Sequence, residues 1–113
     1  MRNTLLFLKR NNTPAKNQWW FPGGRVRKGE TLKEALFREI KEETNLKIKI
    51  VRFIGVYTRI FPNRHDITIA FLCKSDSNKV ILNDEHSKYQ FLKNPPKNIH
   101  PYMQKTIQDS KWK

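Results

Sequence analysis

The sequence predicts an α+β domain built on a mixed sheet. Three observations carry this reading. Strand-like and helix-like segments mix along the chain without regular βαβ alternation. One segment carries the capping signals of a helix at both ends. The length of 113 residues fits one domain, 1–113, and leaves no room for two.

The elements follow in order. Residues 4–8, rich in Leu and Phe, read as a strand, and 11–18 as a polar loop containing Pro14. Residues 19–21 are a short apolar segment stopped by Pro22-Gly23-Gly24. A helix is predicted over 31–44. Thr31 and Glu34 have capping-box spacing, Leu36, Phe37 and Ile40 supply an apolar stripe, and Asn45 tolerates the left-handed stop. Residues 47–57 alternate in part and predict one or two strands, with Gly55 as a bulge. A turn is read at 61–66, a strand at 67–73 and a second turn at 76–78. Short strands at 80–82 and 89–92 flank a connection at 83–88. Pro95-Pro96 breaks the chain, and 99–108 reads as a final helix.

With 23 Lys and Arg against 10 Asp and Glu, the net charge is +13. Such a surface attracts nucleic acid or any phosphate-bearing substrate, and it also arises in a Lys- and Asn-rich proteome with no specific partner. No apolar run approaches the ~18 residues of a membrane span, and the N-terminal apolar stretch is too short for a signal peptide. Cys73 is the single cysteine, which excludes an internal disulfide and a cysteine-rich zinc site. The expected location is the cytoplasm.

Five of the ten acids, Glu30, Glu34, Glu39, Glu42 and Glu43, fall within 14 residues. At ~100° per residue, Glu39, Glu42 and Glu43 share one face of the helix. Each such like-charge pair costs ~0.2–0.5 kcal/mol, and the helix C-terminus disfavours anions further. A hard divalent cation such as Mg2+ reverses both effects. The alternative is a solvated acidic face neutralised by Lys33, Arg38 and Lys41.

The spacing Gly24, Glu30, Arg38-Glu39-Ile40, Glu42-Glu43, Asn45-Leu46 resembles the Nudix box, here residues 24–46. Asn45 alone departs from the family pattern, which has Gly. The resemblance implies a Nudix-type α/β/α sandwich with a mixed sheet and a loop–helix–loop that binds Mg2+ or Mn2+. It implies hydrolysis of a nucleoside diphosphate linked to another group. Glu39, Glu42 and Glu43 are then metal ligands or adjacent to them, Arg38 pairs with Glu30 to hold the loop to the helix, and Gly24 is structural. Members of the family carry a strand ahead of the one read at 4–8, so the domain is expected to lack the usual first strand.

Two flanking blocks, from Leu8 to Val26 and from Leu82 to Tyr89, resemble GDP-mannose mannosyl hydrolases. That similarity implies metal ligation by the Gly23 carbonyl, Glu43 and Glu85, with His86 as general base and Arg10 and Arg25 on the departing nucleotide. Either Trp19 or Trp20 would stack on the base while the other packs in the core. Trp19 is the substrate-binding candidate. His65 reads as a turn residue, with base or substrate contact as the alternative, and His100 as structural. The expected catalytic set is His86, Glu43, Glu42, Arg10 and Arg25. The expected reaction is Mg2+-dependent hydrolysis of a GDP-mannose-like nucleotide sugar, with water attacking the sugar carbon or phosphorus. The complete Glu39–Glu42–Glu43 set suits phosphorus. The alternatives are a general pyrophosphatase for nucleoside triphosphates or ADP-ribose, and a non-catalytic basic module binding nucleotide or RNA. A homodimer is the expected assembly.

Overall fold

The computed structural model describes residues 4–12 and 16–111. Strand β1 (Leu5–Arg10) is the centre of a three-stranded sheet, between β2 (Trp19–Trp20) and β5 (His86–Leu92). Its unbroken apolar run suits a strand covered on both faces, and Phe7 and Leu8 are fully buried. β3 (Lys49–Phe61) and β4 (Arg64–Lys74) form a separate long hairpin. The pairings among the described residues are antiparallel, so the mixed sheet of the sequence reading appears here as two antiparallel ones.

Helix α1 (Leu32–Thr44) begins and ends as its sequence predicts. Thr31 Oγ accepts from the Glu34 amide at 3.1 Å, and the Glu34 carboxylate accepts from the Thr31 amide at 2.8 Å. Asn45 caps the other end at φ 61°, its amide donating to the Lys41 carbonyl. Helix α2 (Pro101–Ser110) starts with Pro at its first turn, and His100 caps it, Nδ1 accepting from the Tyr102 amide at 3.1 Å. That is the structural role expected of His100.

The core gathers Trp20, Ile99, Tyr102 and Met103, flanked by Phe21, Tyr57 and Ile107. α2 thereby joins the two sheets. Tyr102 packs against Trp20 of β2, while Tyr57 of β3 donates from its hydroxyl to Asp109 at 2.7 Å.

Several boundaries differ from the sequence reading. Residues 80–82 form no strand, because the Ile81 amide is used to tether the loop to the Thr44 carbonyl at the end of α1. β5 starts at His86 rather than 89. β3 runs on to Phe61, so the turn shrinks to Pro62-Asn63 and His65 lies in β4 instead of in a turn. The register of β3 on β4 shifts between Phe53 and Gly55, at the expected bulge, and again between Ile50 and Arg52. The loop read at 11–18 falls partly outside the described residues.

Candidate metal centre

Arg38 fastens the loop before α1 to the helix. Its Nε and Nη2 donate to the two oxygens of Glu30 at 2.5 and 2.9 Å, and Nη2 also donates to the Arg25 carbonyl at 2.9 Å. Nη1 reaches Glu39 at 2.6 Å and Glu42 at 3.0 Å. Glu30 accepts again from the Arg27 amide. These hydrogen bonds, Arg38 first, hold the Glu30 carboxyl down at about 2. Gly24 lies directly against the Glu39 carboxylate, where any Cβ would collide.

Glu43 turns inward from the same helix and is only 2% exposed. Its Oε1 accepts from the Gly23 amide at 2.9 Å. Burial, above all, pushes its carboxyl up to about 8, and the neighbouring acids Glu39 and Glu85 add to the shift. Glu85 and His86 arrive from the opposite side, on the turn that leads into β5. That turn is clamped to the end of β1: the Asn11 amide donates to the Glu85 carbonyl at 2.9 Å, and the Asn11 side chain donates to the Asp84 carbonyl at 2.9 Å.

One ligand atom each from Glu43, Glu85 and His86 lies within 4.8 Å of the others. Donors opposite each other around a Mg2+ ion are ~4.2 Å apart, since each bond is ~2.0–2.1 Å, so the cluster fits a cation of that size. Two further observations agree with this fit. His86 Nδ1 is buried and has no hydrogen-bond partner among the described residues. Glu43 is a buried carboxyl crowded by like charges. Burial, helped by the Arg10 guanidinium, pulls the His86 imidazole down to about 4, so it is neutral at physiological pH and its nitrogen lone pair is available.

Arg10 ends β1 directly across from His86, beside the register shift after Lys9. Its guanidinium lies 5.9 Å from the Trp20 ring. The Glu39–Glu42–Glu43 face expected from helix geometry is divided. Glu43 is in the cluster, Glu39 accepts from Arg38 and lies near enough to Glu43 to help raise its carboxyl, and Glu42 is exposed and paired with Arg38 and Arg27. The Gly23 amide serves Glu43. Arg25 is exposed, and its guanidinium acts on Asp66 of β4. Trp19 is half-buried, while Trp20 belongs to the core.

Sequence reasoning missed Arg59 on β3. Its guanidinium carbon lies 5.1 Å from the Tyr102 ring, 5.4 Å from Trp20 and 6.0 Å from Phe61. The signal was present in the alternation Tyr57, Arg59, Phe61, which puts all three on one face of a strand.

Residues 1–108 match the family model of the NUDIX domain. The chain is 38% identical to the ADP-ribose pyrophosphatase of Methanocaldococcus jannaschii over 116 residues, covering 98% of this chain and 68% of that one. It is 29% identical to the low-salt glycan biosynthesis protein Agl8 of Haloferax volcanii over 106 residues, covering 87% of this chain and 68% of the relative. Its fold superposes on the crystal structure of a MutT NUDIX hydrolase from Burkholderia pseudomallei with a TM-score of 0.86 at 21% identity, over 96% of this chain and 89% of that one.

Proposed function

The chain belongs to the Nudix family, and we propose that this Nudix hydrolase cleaves the diphosphate of an ADP-ribose-like substrate, a nucleoside diphosphate linked to a second group. The observation that carries the proposal is the Glu43–Glu85–His86 cluster with Arg10 set across from it. The substrate preference rests on the 38% identical relative named as an ADP-ribose pyrophosphatase. This replaces a GDP-mannose-like sugar as the leading substrate.

In this reading Glu43, Glu85 and His86 hold a Mg2+ or Mn2+ ion, with Glu39 and the Gly23 carbonyl beside them. When bound, the cation neutralises charge on the phosphate oxygens and lowers the cost of forming the leaving phosphate. Arg10 contributes a bidentate donor pair to the same oxygens. Arg38 and Glu30 keep the loop in register with α1, and so keep the Gly23 amide on Glu43. Glu39, beside Glu43 on the same helix, accepts the proton of the attacking water. Attack is on phosphorus, so ADP-ribose yields AMP and ribose phosphate.

The test is product analysis after incubation with ADP-ribose and Mg2+, with Glu43→Gln as control. AMP with ribose phosphate, absent in the control, is the expected result. Turnover in Glu43→Gln equal to the native chain overturns the assignment of the centre. A second reading keeps GDP-mannose as substrate, favoured by the two flanking sequence blocks and by the glycan-related name of the Haloferax relative. GDP plus mannose would identify attack at the sugar carbon, and GMP plus mannose phosphate attack on phosphorus.

The proposal includes a homodimer formed through β4. Among the described residues β4 pairs with β3 alone, which leaves its other edge open. Sedimentation at twice 13.6 kDa is the expected result.

A further inference from the structure

Arg59 stands apart from the residues given roles above. Its guanidinium is enclosed by the rings of Trp20, Phe61 and Tyr102, and its side chain is 16% exposed. Among the described residues its ion-pair partner is Asp66, at 3.4 Å. Arg64 holds that same Asp66 oxygen more closely, at 2.6 Å, and the Arg64 Nε donates to Asp66 as well. Asp66 is therefore satisfied largely without Arg59. Nε of Arg59 is buried with no acceptor among the described residues. Ring faces stabilise the charge and are at best weak acceptors for that N–H, so the buried donor still carries a desolvation cost.

The position of this unmet donor is informative. Arg10 and Arg59 both approach the Trp20 ring, at 5.9 and 5.4 Å, and each feels the positive charge of the other. Arg10 in turn faces Glu43, Glu85 and His86. All of these side chains except His86 and Glu43 line one open cleft of about 2020 Å³. Going from the acidic cluster to Arg10, then Trp20, then Arg59, the charge changes from negative to positive. Two guanidinium groups held this close repel each other unless an anion lies between them.

We propose that Arg59 is a substrate-binding residue that, together with Arg10, takes the phosphate of the diphosphate lying farther from the acidic cluster. This deepens the reading above and rests on it for the identity of the substrate. It makes the site selective for diphosphates over monophosphates. The Arg59 fork supplies two parallel donors, which a lysine does not reproduce. Asp66 competes with the phosphate for Arg59, so removing its charge should strengthen binding.

The test is titration with inorganic pyrophosphate in EDTA, read by tryptophan fluorescence, since Trp20 lies between the two arginines. Arg59→Gln is expected to weaken binding roughly 10–100-fold, as loss of a hydrogen-bonded charge would. Arg59→Lys should fall between it and the native chain, and Asp66→Asn should bind more tightly. If Arg59→Gln does not fold, Arg59→Lys and Asp66→Asn decide. Unchanged affinity in Arg59→Lys, or no tightening in Asp66→Asn, means that Arg59 only braces the aromatic core and overturns the proposal. In turnover assays Arg59→Gln and Arg59→Lys should raise KM more than they lower kcat. Pyrophosphate binding that depends on Arg59, in a chain inert towards ADP-ribose, would keep this subsite and end the substrate reading. ADP-ribose turnover with native KM in Arg59→Lys would do the opposite.

Discussion

Two regions of the molecule are held by different means. Around the candidate metal centre most polar groups other than His86 Nδ1 have a named partner: Arg38 serves three carboxylates and a carbonyl, Glu43 takes the Gly23 amide, and Asn11 clamps the turn that carries Glu85 and His86. The β3–β4 hairpin is the reverse. Its backbone ladder is long, yet Ile60 is 76% exposed and Ile67 69%, with Phe53 and Val56 more than half exposed. One region fixes charged side chains in space by hydrogen bonds. The other presents apolar side chains with little covering them. The precision of the centre is therefore local, and it does not depend on a large shared core.

The strongest way to break this comparison is Glu43→Gln. The substitution keeps the volume and an acceptor for the Gly23 amide while removing the charge. Turnover should fall roughly 10²–10⁴-fold, the scale of lost acid–base or metal assistance. Thermal stabilisation by Mg2+ should vanish with it, whereas in the native chain it should reach ~2.7 kcal/mol at a hundredfold excess over Kd. The pH dependence sharpens the point. The Glu43 carboxyl is raised in the folded state, to about 8, so its contribution to stability is intact below the ordinary carboxylate range and is lost as pH rises through 8. Without metal, Glu43→Gln should therefore melt above the native chain by a margin that widens between pH 5 and 8.5. Each kcal/mol of relief is worth roughly 4–8 °C. A margin independent of pH would mean that Glu43 is not the buried carboxyl under strain.

Arg38→Met comes next. Arg38 pairs with Glu30, Glu39 and Glu42 together, and its side chain is largely covered. Its loss should destabilise the fold, since it removes charge-assisted hydrogen bonds to three carboxylates, which then partly relax into solvent. Calorimetry should show a lower Tm, and limited proteolysis should cut the loop between Gly24 and Glu30 first. If the Tm falls without loop cleavage, Arg38 stabilises the helix and not the loop.

Much of this centre was legible in the sequence because its signals are local. The capping box at Thr31 and Glu34, the Asn45 stop and the Arg38–Glu30 pair each join residues no more than eight positions apart, and the structure realises each. The strand order was not legible, since pairing β1 with β5 joins residues some eighty positions apart and no short-range pattern records it. The divided fate of the three glutamates was also hidden. Helix geometry places Glu39, Glu42 and Glu43 on one face, but Arg38 and Arg27 draw Glu42 outward while the Gly23 amide draws Glu43 in. Arg59 was passed over because the strand was read as ending at 57, so the alternation Tyr57, Arg59, Phe61 was not followed onto one face.

The smallest expected effect tests the other half of the comparison. Ile60 lies on β3, and its side chain is largely in solvent. Ile60→Thr keeps the β-branched shape that suits a strand while removing apolar surface. If the hairpin face is solvated in the isolated chain, Tm should move by no more than about 0.5 kcal/mol equivalent, the range of ordinary surface changes. If instead the hairpin is covered in a dimer, the substitution exposes less apolar surface on dissociation. Sedimentation should then show weaker association at unchanged Tm for the dilute chain. A loss of several degrees at all concentrations would mean that Ile60 is packed within one chain, and the contrast between a pinned centre and an open hairpin would fail there.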